Sequence, residues 1–130
     1  MTAVLLDSHV VHWWSAEPTK LSRPARRALE TADELAVASI TWFELAWLAA
    51  HDRIRVSLPV RAWLEQLAEE VRTVGTTPAV AAAAVALPAS FPGDPADRLI
   101  YATAVEHDWR LVTKDDRLRG HRGPRPVAIW

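Results

Sequence analysis

Short apolar runs alternate along this chain with longer segments in which apolar residues recur at helical spacing. The apolar runs predict strands at residues 3–6, 35–39, 71–74, 110–113 and 127–130. Helical patterns fill the intervals, at residues 9–14, 22–31, 41–53, 59–70, 78–87 and 95–107. Strands that alternate with helices are typical of right-handed β-α-β crossovers. The pattern therefore predicts an α/β protein, a three-layer α/β/α sandwich around a short, mainly parallel sheet.

Two of these helical segments, residues 41–53 and 78–87, are apolar almost all round. Such helices are expected in the buried layer of a sandwich. The chain has no internal repeat and no long linker, so residues 1–130 are predicted to form a single domain.

Composition narrows the class of protein. Half of the residues are hydrophobic and 24% are charged, which is ordinary for a globular protein. There is no cysteine, which excludes disulfides and thiolate metal sites and fits a reducing compartment, so a cytoplasmic location is predicted. The N-terminal segment lacks a basic region and Asp7 interrupts its apolar run, so neither a signal peptide nor a membrane span is predicted.

The net charge of −1 gives no overall attraction for nucleic acid, but the charges are unevenly distributed. Six basic and two acidic residues lie between Arg110 and Arg125. This basic stripe is open to two interpretations, a surface that follows RNA phosphates or a solvated tail.

Acidic residues stand where such a fold would bind a ligand. Asp7 directly follows the first predicted strand, and Asp115 follows the fourth with one residue between. Ligands of open parallel sheets bind beyond the carboxyl ends of the strands. These two carboxylates are therefore predicted to lie at one edge of the sheet.

Two further acids lie near predicted helix starts and have a structural alternative. Glu44 follows Thr41 at the spacing of a capping box, and Asp97 follows Asp94 likewise, with Pro95 between them. Either acid is explained as a cap or as a functional group. If all four acids, Asp7, Glu44, Asp97 and Asp115, converge, their mutual repulsion requires a cation. Mg²⁺ or Mn²⁺, which prefer oxygen ligands, fit this requirement.

Four segments in this order resemble the acidic motifs of the PIN domain and, more narrowly, of the VapC toxins of bacterial type II toxin–antitoxin pairs. They read VLLDSH, ITWFELA, DPADRLIYATA and LVTKDD, and together they extend over essentially the whole chain. The chain departs from many relatives at Pro92 and Ala96, where those relatives have a histidine and a phenylalanine.

The resemblance implies a Mg²⁺- or Mn²⁺-dependent endoribonuclease that hydrolyses RNA phosphodiester bonds. By motif, Asp7, Glu44, Asp97 and Asp115 are the implied catalytic residues, with Asp7, Asp97 and Asp115 as metal ligands. Thr113 matches a hydroxyl position that supports the last acid. Arg98 has two interpretations, a contact to phosphate or a pair with a neighbouring acid. Asp94 is interpreted as a helix cap, and Asp116 as a neighbour of Asp115.

The same resemblance implies partners. A cognate VapB-type antitoxin would wrap the toxin and obstruct its acidic pocket, and a homodimer or a toxin–antitoxin hetero-oligomer is expected. The RNA substrate would be a tRNA, an rRNA or an mRNA, and no membrane is involved. The apolar residues Trp47 and Leu48 are consistent with a surface for the antitoxin.

Tryptophans and histidines add weaker predictions. Seven tryptophans are predicted mainly to fill the core, with an antitoxin groove and base stacking as alternatives. The five histidines form no metal-binding pattern; His9 is predicted in a pocket wall and His12 at the surface.

Two other functions compete with the nuclease. One is a PIN-like module that binds RNA or protein without cleaving, although clustered acids facing phosphates would not help a pure binder. A phosphatase would use Asp7 as the nucleophile. That chemistry usually shows a second Asp two residues on, where this chain has His9.

Overall fold

The structure, a computed structural model, describes residues 2–121 and 127–130. These residues form a five-stranded sheet, seven α-helices and a short 3₁₀ helix at Pro18–Lys20. The strands are β1 (Ala3–Leu6), β2 (Glu34–Ala38), β3 (Arg72–Val74), β4 (Arg110–Val112) and β5 (Ala128–Ile129). The helices are α1 (Ser8–Ala16), α2 (Arg23–Thr31), α3 (Ile40–Ala50), α4 (Val60–Ala68), α5 (Pro78–Ala86), α6 (Pro95–Glu106) and α7 (Asp116–Arg119).

All strand pairs are parallel, in the order β3-β2-β1-β4-β5. Leu5 pairs in register with Ala36 of β2 on one side and with Leu111 of β4 on the other. Because β1 lies at the centre, the chain segments after β1 and β4 leave the sheet side by side. The predicted α/β class and parallel sheet are confirmed.

The sheet separates two apolar layers because successive strand residues point to opposite faces. Val4 and Leu6 pack with residues of α1, α2, α3 and α4, whereas Leu5 packs with residues of α6 and α7. Leu5 and Leu6 are both fully buried, as expected for a central parallel strand covered by helices on both faces.

Two helices, α2 and α6, begin at residues that favour an N-cap in the sequence. Ser22 caps α2 by accepting a hydrogen bond from the Ala25 N–H at 3.2 Å, and Asp94 caps α6 by accepting one from the Asp97 N–H at 3.1 Å. Helix α3 ends at Ala50, three residues before the predicted end, and Asp52 just beyond it has a φ of 55°. A residue in the left-handed conformation cannot continue an α-helix. The apolar pattern therefore predicted a helix longer than the one observed.

The expectation that the two apolar helices are buried is wrong. Only Thr41 and Leu45 of α3, and Val80 and Ala84 of α5, are buried. Several other apolar residues of these helices face solvent; the exposed fractions are 61% for Phe43, 44% for Trp47 and 83% for Val85. Each helix packs along a single stripe, which leaves apolar surface on its outer side.

Within the part of the chain that the structure describes, no helix is both long and apolar enough to cross a bilayer.

Candidate active site

Five carboxylates from four places in the fold line one cleft of about 880 Å³. Asp7 and Asp115 follow β1 and β4 and begin α1 and α7 as N-caps. Glu44 projects from α3, and Asp94 and Asp97 belong to the start of α6. The four acids singled out in the sequence therefore meet in space, and Asp94 joins them.

Asp7 is a partly buried carboxylate held by two hydrogen bonds. The Thr113 hydroxyl donates to its Oδ2 at 2.6 Å, and the Ser8 N–H donates to its Oδ1 at 2.8 Å. Burial raises the pKa of Asp7 above its usual value, and the hydrogen bond from Thr113 opposes that shift. The Thr113 oxygen also accepts the Asp115 N–H at 3.0 Å, so one hydroxyl connects the first and last acids.

Glu44 has a partner that the sequence did not reveal. The Ser8 hydroxyl donates to Glu44 Oε1 at 2.6 Å, from α1 to α3. Burial raises the pKa of Glu44, the Ser8 hydrogen bond lowers it, and the charges of Asp7 and Asp94 raise it further. Ser8 is therefore a site residue that sequence reasoning missed, since its contact joins positions 36 residues apart.

The capping box predicted for Thr41 and Glu44 is wrong. Helix α3 begins at Ile40, its N-cap is Ser39, and no side chain caps it. Thr41 is fully buried, and among the described residues its hydroxyl has no hydrogen-bond partner. Glu44 is therefore free of the capping role and points into the cleft.

Asp94 and Asp97 combine a cap with a place in the acidic cluster. Carboxylate oxygens of Glu44, Asp94 and Asp97 lie within 4.8 Å of one another. Burial, followed by the charges of Asp94 and Asp7, raises the pKa of Asp97 to about 7. Asp94, interpreted from the sequence as a cap alone, is thus also part of this cluster.

Arg117 and Lys114 are the basic residues that line the cleft among the described residues, and of these Arg117 bonds to the acids. Its Nη2 donates to Asp97 Oδ2 at 3.0 Å and to Asp115 Oδ2 at 2.8 Å. The hydrogen bond from Arg117 holds the pKa of Asp115 below its usual range, and the paired acids raise that of Arg117. The only sequence signal was its place in the basic stripe, two residues after Asp115.

Arg98 fits neither interpretation offered by the sequence. Its guanidinium donates to five backbone carbonyl oxygens, those of Ala84, Leu87, Pro88, Phe91 and Pro92, at 2.9–3.3 Å. It therefore fastens the segment between α5 and α6, and contacts neither a cleft carboxylate nor the cleft itself.

Apolar and aromatic side chains form the rest of the cleft wall. His9 and Trp13 of α1 and Phe43 and Trp47 of α3 line it, as predicted for His9. The Lys114 ammonium lies 5.7 Å from the centre of the Trp13 ring. His12 is buried, with 6% of its surface exposed, so its predicted surface position is wrong. Arg122 and Arg125 of the basic stripe lie outside the described residues.

The donor set suits a hard divalent cation. It consists of carboxylate oxygens, which Mg²⁺ and Mn²⁺ prefer, and contains no sulfur ligand. Burial and mutual repulsion raise the pKa values of Asp7, Glu44 and Asp97, so a bound cation would stabilise their ionised forms. The residues present therefore fit such an ion.

Comparison with known proteins agrees with this arrangement. The model of the PIN domain family matches residues 4–123. The chain is 73% identical to ribonuclease VapC22 of Mycobacterium tuberculosis over 130 residues, which is the full length of both proteins.

Solved structures share the fold at low sequence identity. A toxin–antitoxin complex from Klebsiella pneumoniae aligns with a TM-score of 0.68 and 21% identity, over 96% of this chain and 94% of that one. VapBC2 from Rickettsia felis, bound to a DNA fragment from its promoter, aligns with a TM-score of 0.68 and 12% identity. The alignment covers 98% of this chain and 97% of that one. These likenesses concern the arrangement of the elements.

Proposed function

This chain belongs to the PIN domain family, in its VapC branch, and we propose that it is a Mg²⁺- or Mn²⁺-dependent endoribonuclease. The observation that carries the proposal is the convergence of carboxylates from β1, α3, α6 and β4 in one cleft. The 73% identity to a ribonuclease over the full chain supports RNA as the substrate.

The proposed metal ligands are Asp7, Asp97 and Asp115, directly or through water. When bound, the metal supplies Lewis acidity and lowers the pKa of a coordinated water. Thr113 orients two of these ligands, because its hydroxyl contacts both the Asp7 carboxylate and the Asp115 N–H. Asp94 provides a further carboxylate beside Glu44 and Asp97.

The proposed reaction is hydrolysis of an RNA phosphodiester bond by in-line attack of water. Glu44 takes the proton of the attacking water, since its carboxylate lines the cleft and burial raises its pKa above the ordinary value. The Ser8 hydroxyl fixes the Glu44 carboxylate for this role. A bond forms between the water oxygen and phosphorus, and the bond from phosphorus to the departing ribose oxygen breaks.

The proposal includes a partner. A VapB-type antitoxin is expected to cover the cleft and to silence the enzyme in the cytoplasm, where the RNA lies. The exposed Phe43 and Trp47, which lie on α3 with Glu44 and line the same cleft, support such a surface. A toxin–antitoxin hetero-oligomer is the proposed resting state.

The test is RNA cleavage by the purified chain with Mn²⁺ and with EDTA. Asp7→Asn and Asp97→Asn are expected to reduce cleavage on the order of 100-fold or more, because each removes a metal ligand. Asp116→Asn is the matched control, since Asp116 is 87% exposed and pairs with Arg119 outside the cleft. Full cleavage by both cleft variants, or in EDTA, would refute the proposal.

A further inference from the structure

Arg117 forms a bridge between two carboxylates that come from different elements. Its Nη2 bonds Asp97 at the start of α6 and Asp115 after β4, and its Nε also donates to Asp115 at 3.2 Å. Asp97 and Asp115 are both ligands in the function proposed above. The guanidinium therefore neutralises, in the metal-free protein, the same oxygens that a metal would need.

The two sides of this bridge differ in solvent exposure. The Arg117 side chain is 61% exposed, whereas those of Asp97 and Asp115 are 13% and 22% exposed. Asp115 is fixed further by its bonds to the Arg117 N–H and to Thr113. The arginine can consequently rotate into solvent while both carboxylates stay in place.

The other arginines near the acids form their hydrogen bonds and ion pairs outside the cleft. Arg98 is engaged by five carbonyl oxygens, and Arg119, on the same short helix, pairs with Asp116. Among the described residues, Arg117 is the arginine that lines the cleft. It therefore has both the position and the freedom to meet a substrate.

We propose that Arg117 occupies the place of a cation in the metal-free cleft and, once a metal displaces it, contacts the phosphate that is cleaved. This inference rests on the proposed function. Two positive charges compete for the same carboxylates, so binding of a divalent ion releases the guanidinium. A guanidinium carries five N–H donors in a planar fork, which fits phosphate oxygens better than a point charge does.

The test compares metal affinity with cleavage in Arg117→Ala. Mn²⁺ binding is measured by titration calorimetry without RNA, and cleavage is measured at saturating Mn²⁺. Loss of the competing cation is expected to tighten Mn²⁺ binding by about two- to fivefold, the range for an exposed ion pair. Cleavage is expected to fall on the order of tenfold or more, since a donor to the transition-state charge is lost.

Two further variants serve as controls for this measurement. Arg119→Ala, on the same helix, is expected to match the wild type in both measurements. Arg117→Lys keeps the charge but not the fork, so it is expected to bind Mn²⁺ like the wild type and to cleave at an intermediate rate. Melting temperatures in EDTA verify that each variant is folded.

Opposite changes in affinity and cleavage distinguish this role from a structural one. If Arg117 only braces the acids, Arg117→Ala will bind Mn²⁺ more weakly, which would overturn the inference. Unchanged cleavage at saturating Mn²⁺ would overturn the phosphate contact. If the wild type cleaves no RNA but Arg117→Ala still binds Mn²⁺ more tightly, the proposed function fails. The inference that Arg117 occupies the place of a cation would still hold.

Discussion

Burial shifts the pKa values of most cleft acids more than the repulsion between their charges does. It is the leading cause of the raised pKa at Asp7, Glu44 and Asp97. Asp115 shows the opposite shift, because Arg117 donates hydrogen bonds to it. Asp97, whose pKa is raised to about 7, is therefore partly protonated near neutral pH, and metal binding at this carboxylate must release that proton.

The first prediction concerns Asp97→Asn and pH. Asp97 has a pKa of about 7 in the folded protein, against the ordinary value of 3.8 for an aspartate, so protonation of Asp97 favours the folded state. That contribution is fully present below about pH 4 and is lost as the pH rises through about 7. In EDTA, Asp97→Asn should therefore melt higher than the wild type by a few degrees at about pH 8, and the gap should close toward about pH 5.

Thermal melts across this pH range check the effect, with Asp116→Asn as the control that should follow the wild type at every pH. If the Asp97→Asn and wild-type melting curves ran parallel from about pH 5 to about pH 8, the raised pKa of Asp97 would be wrong.

At the scale of elements, the site is built from junctions between a strand and a helix. Asp7 directly follows β1 and caps α1 through the Ser8 N–H, and Asp115, three positions after the end of β4, caps α7 through the Arg117 N–H. Since β1 and β4 are neighbours in the sheet, these junctions lie beside each other. The Thr113 hydroxyl joins them, with bonds of 2.6 Å to Asp7 and 3.0 Å to the Asp115 N–H.

The second prediction tests this connection with Thr113→Val. The change removes a hydrogen bond that lowers the pKa of the partly buried Asp7, so that pKa should rise further. Mn²⁺ affinity near neutral pH is expected to fall on the order of tenfold, as for other residues that orient a metal ligand, and to recover partly at higher pH. Calorimetric titrations at several pH values measure both effects.

Thr113→Ser keeps the hydroxyl and serves as the matched control, with Mn²⁺ affinity expected near that of the wild type. Equal Mn²⁺ affinities for the serine and valine variants would show that the hydroxyl does not support Asp7.

At the scale of the whole molecule, the acids lie beside an uncovered apolar surface. Phe43 and Trp47 of α3 line the same cleft as Glu44 and are 61% and 44% exposed. Exposed aromatic residues of this kind are typical of protein interfaces. A partner that covers this surface would also block the path of RNA to the acids.

The third prediction is that Trp47→Ser weakens binding of the co-expressed cognate antitoxin on the order of tenfold or more, as for a residue at the centre of an interface. Surface plasmon resonance with the purified pair measures this loss. Val85→Ser is the control, because Val85 is 83% exposed on α5 and lies outside the cleft. If Trp47→Ser instead retained antitoxin binding and lost affinity for RNA, this surface would belong to the substrate.

The sequence by itself determined the class of fold, the order of the strands and of helices α1 to α6, and the acids that follow β1 and β4; it did not predict the short helix α7. Asp7, Asp115 and the caps Ser22 and Asp94 were predictable, because strand ends and helix starts depend on residues close together in the chain. The spacing of hydrophobic residues along the chain follows directly from whether the local backbone is helical or extended.

Only the tertiary structure decided which side chains meet across the cleft. Ser8 reaches Glu44 over 36 positions and Arg117 reaches Asp97 over 20, while Arg98 turns away to backbone carbonyls. Likewise, the apolar sequence of α3 did not reveal that Phe43 faces solvent. The physical reason is that hydrogen-bond partners and exposure depend on the direction of each side chain after the helices dock on the sheet, and the local pattern does not specify that direction.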